Sequence, residues 1–210
     1  MNLAILGAGS VGGTLGKAWA RKGHTVIFGV REPGSDRVRM LLEEIGSQAR
    51  AQSLAEAVTQ ADVVALAVTW TAMPDVVAAV GDLEGKILLD GTNPLMGNRL
   101  DASAPVASSG GEQVAAWFPR AKVVKVFNQV GWETMADPSY GDGAATMFHA
   151  GDDAAAKQVA ARLAADIGFE PIDAGALSAS RHLENLALFW GQLAYTQGMG
   201  RHLAWRLLQR

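Results

Sequence analysis

The stretch Asn2-Leu-Ala-Ile-Leu-Gly-Ala-Gly-Ser-Val-Gly12, NLAILGAGSVG, decides the fold. Leu3 to Leu6 is a short apolar run without alternation, the pattern of a strand buried on both faces, and it ends in glycines. Beyond it Val11, Leu15, Ala18 and Trp19 recur at helical spacing and Gly23 follows as a stop, which predicts a helix of about three turns. Thr25 to Phe28 reads as a second strand. Strand, glycine turn, helix and strand make a βαβ unit with parallel strands and a right-handed crossover.

Within this unit each glycine has a steric task. Gly7 permits the tight turn, Gly9 lets a pyrophosphate approach the backbone, and Gly12 lets the helix pack close to the strand. Free amides at the helix start then face the phosphates. Gly7, Ala8, Gly9, Ser10, Val11 and Gly12 are therefore the expected cofactor cradle. A glycine turn alone also serves purely structural ends; the strand before it and the helix after it favour dinucleotide binding.

The alternation continues along the chain. Gln48 to Gln52 alternates poorly, and a sixth strand slot depends on it. Ser53 and Glu56 have capping-box spacing, Ala61 to Val68 is a buried strand, and Met73 to Val80 a helix. Lys86 to Asp90 and Lys122 to Phe127 read as strands around a helix from Gly110 to Trp117. Ala145 to His149 and Glu170 to Asp173 look like strands on either side of an Ala-rich helix from Asp152 to Ile167. From Ser178 onward, Leu183, Leu186, Ala187, Trp190, Leu193 and Ala194 keep helical spacing. Leu203, Leu207 and Leu208 resume it after a bend at Gly198 and Gly200. The reading is an α/β, Rossmann-type doubly wound, mainly parallel sheet with a small C-terminal strand and helix extension. Residues 1–210 form one domain, with a dinucleotide-binding part over 1–135 and an acceptor and dimerisation part over 136–210.

Composition narrows the function. The chain has 210 residues, 49% of them hydrophobic, and a net charge of −3, which gives no basic surface for nucleic acid. It has no cysteine, so disulfides, thiolate metal sites and cysteine nucleophiles are excluded. The N-terminus lacks a basic leader, and no apolar run reaches the roughly 18 residues of a membrane span. A cytoplasmic protein without a membrane partner is expected. His24, His149, His182 and His202 are scattered without metal-ligand spacing, so no metal site is expected.

The loop after the second strand, Phe28-Gly-Val-Arg-Glu-Pro-Gly-Ser-Asp-Arg37, bears on the choice of cofactor. Counting roughly 20 residues from the glycine motif lands on Glu32, the acid that would accept from the ribose of NAD. A strand ending at Phe28 or Gly29 places Gly29, Val30 and Arg31 at its edge instead. Glycine leaves room for a 2′-phosphate and a guanidinium donates to it, with Ser35, Arg37 and Arg39 as further donors. NADP is preferred; a solvated loop is the other reading.

Several segments together resemble one family. Ala4 to Gly12, Gly29-Val-Arg31, Asp90-Gly-Thr-Asn-Pro-Leu95, Lys125-Val-Phe-Asn128, Ala179 to Glu184 and Leu186 to Trp190 are similar to the NADPH-dependent reductases of the deazaflavin coenzyme F420. The same nucleotide-binding unit occurs in the cytoplasmic domain of membrane ferric reductases. The resemblance implies a Rossmann domain and hydride exchange between NADP(H) and coenzyme F420 as second substrate. Members commonly have Ser where Val30 stands, and a second basic residue can occur at Glu32.

Hydride transfer needs few protein groups, because nicotinamide and acceptor carry the chemistry. The residues that position them belong at the C-terminal ends of the strands. That selects Thr69, Trp70, Asn93, Pro94 and Asn128. Thr69 or Asn93 would fix the nicotinamide or its ribose, with Pro94, Trp70 and Phe127 as apolar walls; core packing is the competing role for both aromatics. Arg181, His182 and Glu184 form a charged cluster that either touches substrate or lies on a helix surface. Arg201, His202, Arg206 and Arg210 would receive an anionic acceptor tail or form a solvated face. An apolar C-terminal helix makes a homodimer the expected assembly. Two alternatives stay open: an NADP(H)-sensing module without turnover, and a reductase of another small acceptor such as a flavin, a ferric chelate or an imine. Residues 178–197 contain no lysine, which disfavours a hydroxyacid or imine reductase.

Overall fold

A computed structural model describes residues 1–96, 99–100 and 109–210. Eight strands form one sheet: β1 (Asn2–Leu6), β2 (Thr25–Gly29), β3 (Ala49–Gln52), β4 (Val63–Leu66), β5 (Ile87–Asp90), β6 (Lys122–Lys125), β7 (Thr146–Gly151) and β8 (Glu170–Asp173). Their order is β3-β2-β1-β4-β5-β6-β7-β8, and neighbours are parallel except β6 and β7. This is a Rossmann-type α/β fold whose order reverses between β1 and β4.

The helices are α1 (Ser10–Arg21), α2 (Asp36–Ile45), α3 (Leu54–Thr59), α4 (Met73–Val80), α5 (Gly110–Trp117), α6 (Trp132–Ala136), α7 (Ala154–Asp166) and α8 (Ser180–Gly191). Alternation along β1 assigns them to faces. Leu3 and Ile5 join Leu15 and Trp19 of α1, Leu41 of α2 and Leu163 of α7, whereas Ala4 and Leu6 join Val58 of α3, Val76 of α4 and Val114 of α5. Burial on both faces accounts for the unbroken apolar runs of β1 and β4. β3 reads poorly because it is an edge strand, paired with β2 alone, and none of its residues is fully buried.

The glycine turn is fixed by close approach. Gly7 has φ +106°, and a Cβ on it would stand 2.6 Å from the Ala67 carbonyl oxygen. A Cβ on Gly12 would stand 2.0 Å from the Gly7 oxygen, so α1 can start only where it does.

The C-terminus departs from the expected helix. α8 passes into a π-helical turn over Gln192–Thr196, the chain turns at Gly198 and Gly200, and residues 201–210 contain no helix. The spacing of Leu203, Leu207 and Leu208 is misleading here, because the backbone of this segment bonds to other elements. The Thr146 amide donates to Trp205 O at 2.7 Å and the Leu207 amide to Thr146 Oγ1 at 3.0 Å. Indole N–H groups complete the strap, Trp190 donating to Leu203 O at 2.8 Å and Trp205 to Gln129 O at 3.1 Å. No helix among the described residues is long and apolar enough to cross a membrane.

Candidate functional site

Two cavities lie along the C-terminal edge of the parallel strands, on either side of the α1 N-terminus. The first, about 740 Å³, runs from the glycine turn to the loop after β2. Gly7, Ala8 and Gly9 line it. At Gly9 an added Cβ would meet nothing closer than Arg37 Nη2 at 3.9 Å, so the missing side chain leaves space for a ligand. Gly9 is also the N-cap of α1 and no side chain caps the helix, which leaves its first-turn amides available to an anion. Ser10 borders a groove on the outer side of α1, Val11 faces the second cavity, and Gly12 is buried in the α1 contact.

β2 ends at Gly29, and Val30, Arg31, Glu32, Ser35 and Arg37 follow it around the first cavity. Arg31 and Arg37 are exposed, and neither guanidinium has a carboxylate partner among the described residues. Ser35 is the N-cap of α2, yet its hydroxyl makes no capping bond. Arg39 pairs with Asp36 and does not line the cavity, which removes it from the expected donors. Gly29 also needs a different explanation, since a Cβ there would stand 2.6 Å from Leu6 Cδ2 and 3.2 Å from Ala57 Cβ. Its absent side chain serves α3 packing as well as the cavity.

The strand-end residues divide between the two cavities. Thr69 lines the first, with its hydroxyl 3.2 Å from that of Thr71. Asn93 and Asn128 line the second, a space of about 300 Å³. Trp70 turns away from both and packs on Trp117 with ring centroids 5.3 Å apart. Pro94 is buried against α5, its Cδ 2.9 Å from where a Gly110 Cβ would stand. Phe127 is core, edge-on to Trp19 at 5.6 Å. None of these three is the expected wall. Leu95, Val130, Trp132, Leu188 and Trp190 form the walls instead, and only Trp190 stood in a predicted apolar stripe.

The floor of the second cavity is a closed amide network. Asn93 Nδ2 donates to Asn128 O and Asn128 Nδ2 to Asn93 Oδ1, both at 2.9 Å. Gln129 Nε2 donates to Asn128 Oδ1 and to Phe148 O at 2.8 Å each, and Gln129 Oε1 accepts from the Phe148 amide at 3.1 Å. Phe127, at φ +64°, is the only described non-glycine residue with positive φ, and this kink aims Asn128 across to Asn93.

At the rim, Arg201 Nη2 lies 3.1 Å from Glu133 Oε2, and the guanidinium sits 5.4 Å from the Trp190 ring centroid and 5.6 Å from that of Tyr195. Burial alone would raise the Glu133 carboxyl, but the Arg201 hydrogen bonds outweigh it and hold its pKa below the ordinary range. Arg201 is thus engaged, and Arg206 lies over the Gly143 backbone, so neither is the free cation expected for an anionic tail. The cluster on α8 also differs from expectation. Arg181 bonds to Glu112, His182 is exposed, and Glu184 is buried beneath the cavity with Lys125. Among the described residues no group of three His, Cys, Asp or Glu could hold a metal ion.

The open turn at Gly9, the uncapped amides and two unpaired guanidiniums together fit a dinucleotide that carries an extra phosphate. The family profile described as NADP oxidoreductase coenzyme F420-dependent matches residues 2–94. The crystal structure of a candidate F420-dependent NADP-reductase from Arthrobacter sp. FB24 superposes with a TM-score of 0.89 at 31% identity, covering 100% of both chains. Rat metalloreductase STEAP3 is 31% identical over 89% of this chain, which spans 36% of that relative's length. An Aspergillus terreus reductive aminase solved with NADPH shares the fold at a TM-score of 0.68, with 20% identity over 94% of this chain and 62% of its own.

Proposed function

The chain belongs to the family of coenzyme F420-dependent NADP oxidoreductases, and from that premise we propose that it exchanges hydride between NADP(H) and a deazaflavin held in the second cavity. The nicotinamide supplies or receives the hydride. The protein's own residues bind, orient and exclude water.

In this reading Arg31, Ser35 and Arg37 hold the 2′-phosphate, with Val30 beside them. Ala8, Gly9, Ser10 and Val11 cradle the pyrophosphate over the α1 amides, and Gly7 and Gly12 shape that turn. Thr69 faces the adenosine side, and the nicotinamide lies beside Val11 and Asn93. Asn128 fixes the Asn93 amide. Residues 136–210 supply the far wall, where Leu188 and Trp190 offer apolar surface to a planar ring.

One observation carries the choice of acceptor: among the described residues, the side chains lining the second cavity include no lysine, histidine or carboxylic acid, and the one phenol, that of Tyr195, accepts a hydrogen bond from Arg201. Reduction of an imine or carbonyl needs a proton donor tuned for that step. A deazaflavin ring takes hydride on the carbon that replaces the flavin's central nitrogen and balances the charge with a solvent proton on another ring nitrogen. Steady-state assays with NADPH against coenzyme F420, flavins and ferric chelates test the reading. Coenzyme F420 should give the highest kcat/KM, and absence of turnover with it would overturn the assignment.

The similarity to a metalloreductase over most of this chain favours one second reading, reduction of a flavin that passes electrons to ferric ion. The same assay separates the two. A cytoplasmic homodimer completes the proposal. Its contact is placed on the exposed apolar side chains of Phe189, Met199, Leu207 and Leu208, and sedimentation of wild type against Phe189→Glu tests it.

A further inference from the structure

Lys125 ends β6, and its side chain is completely buried. Its ammonium donates to Asp90 Oδ2 at 2.9 Å and to Thr92 O at 2.7 Å, and lies 2.9 Å from Glu184 Oε1. The three acceptors belong to two parts of the site, the end of β5 with its loop and α8. Asp90 ends β5, and its other oxygen accepts from the Thr92 amide at 2.9 Å and the Thr92 hydroxyl at 2.6 Å, which folds the loop leading to Asn93. Glu184 stands on α8 one turn before Leu188, a wall of the second cavity. Its two oxygens also accept from the Gly110 and Gly111 amides at the start of α5, each at 3.0 Å.

A buried ammonium with two carboxylates contributes little net stability compared with well-packed apolar residues, so stability alone does not account for it. Burial pushes the lysine pKa down, and the charges of Asp90 and Glu184 more than reverse this, so the ammonium stays charged. Directed hydrogen bonds that join the end of β5 to α8 are what apolar packing lacks.

We propose that Lys125 is a positioning residue: by tying the Thr92–Asn93 loop to α8 through Glu184, it sets the gap between the nicotinamide side and the acceptor side of the second cavity. This rests on the placement of the nicotinamide beside Asn93, and the test separates the two ideas.

Glu184→Gln keeps the shape but weakens the link, Lys125→Met removes it, and Asp166→Asn, which breaks the remote pair with His24, controls for general destabilisation. Affinity for 2′,5′-ADP reports the adenosine side alone. The emission of bound NADPH reports the nicotinamide environment whatever the acceptor, and single-turnover hydride transfer to coenzyme F420 reports the gap. In Glu184→Gln, 2′,5′-ADP affinity should stay within about twofold of wild type while hydride transfer falls on the order of 100-fold and the NADPH emission changes. Asp166→Asn should lower Tm without either change. If Glu184→Gln behaves like Asp166→Asn, or if its 2′,5′-ADP affinity and transfer rate fall in step, Lys125 is merely structural. Should wild type transfer no hydride to coenzyme F420, the acceptor reading fails and the NADPH emission still decides the role of Lys125. If Lys125→Met does not fold, Glu184→Gln carries the test alone.

Discussion

Asn93 and Asn128 hold each other: each side-chain amide donates to an oxygen of the other residue at 2.9 Å, locking the ends of β5 and β6 together at the second cavity. Asn93→Ala removes both bonds, whereas Asn128→Ala removes its donation to Asn93 Oδ1 and the Oδ1 acceptor of Gln129 but leaves the backbone carbonyl that Asn93 donates to. Each single variant should lower kcat about 10-fold with little change in NADPH affinity, and the pair should couple by about 1 kcal/mol. A double-mutant cycle on kcat checks this, and simple additivity would mean that the two amides act separately.

Arg31 and Arg37 offer the test between the two cofactors. If they bind the 2′-phosphate, each alanine variant should weaken NADPH by about 10- to 100-fold, the value of one hydrogen bond to a charged group. NADH binding should change by less than about 3-fold. Calorimetry with both nucleotides is sufficient, and equal losses would shift the reading to Glu32 and NAD.

Gly9→Ala and Gly12→Ala should fail in different ways. The first adds a methyl to open space, so stability should stay within about 1 kcal/mol while cofactor binding is lost. The second drives a methyl into the Gly7 carbonyl and should cost about 3 kcal/mol or more. Thermal melts with and without NADPH distinguish them.

His149 predicts an acid-sensitive component of stability. Its Nδ1 lies 2.8 Å from Ile172 O, and burial holds its pKa below the ordinary 6.5, with Asp173 pulling it up and Lys157 pushing it down. The unfolded chain therefore takes up this proton first, so the contribution is present above 6.5 and is lost as pH falls from there toward the depressed folded pKa. Tm should fall between about pH 7.5 and 5.5, and His149→Gln should flatten that slope.

Trp205 stacks on Phe189 at 5.6 Å and bonds to Gln129 O at 3.1 Å. Trp205→Ala should cost about 3 kcal/mol and raise the acceptor KM, while leaving 2′,5′-ADP affinity unchanged. A melt and a KM measurement for each substrate check it.

The dinucleotide half was legible because its signals are local. Gly12 is dictated by the Gly7 carbonyl five residues before it, Gly7 by its positive φ and the neighbouring β4 end, and Leu3 to Leu6 announces burial on both faces. The acceptor side was not, because its parts are distant in sequence. Trp132 follows a strand by several residues, and Lys125 reads as one more polar residue closing an apolar run. Its partner Glu184 lies 59 positions away and reads as part of a charged cluster for substrate or solvent. Trp70 and Pro94 occupy strand ends as expected, yet side-chain direction there depends on α5, whose packing no local pattern reveals. Leu203 and Leu207 kept helical spacing by coincidence, since Thr146 claims the backbone of that segment.

The strap also divides the two cavities along the chain. Among the described residues the first cavity draws on nothing beyond Ala79, whereas the second needs Val11 at one end and Arg201 at the other. The residues that line the cofactor cleft are therefore all made while more than half the chain is still to come. The second cavity gains its last lining residue, Arg201, only where the strap carrying Leu203 and Trp205 begins, so in the proposed reaction the nucleotide side is encoded early and the acceptor side spans nearly the whole chain.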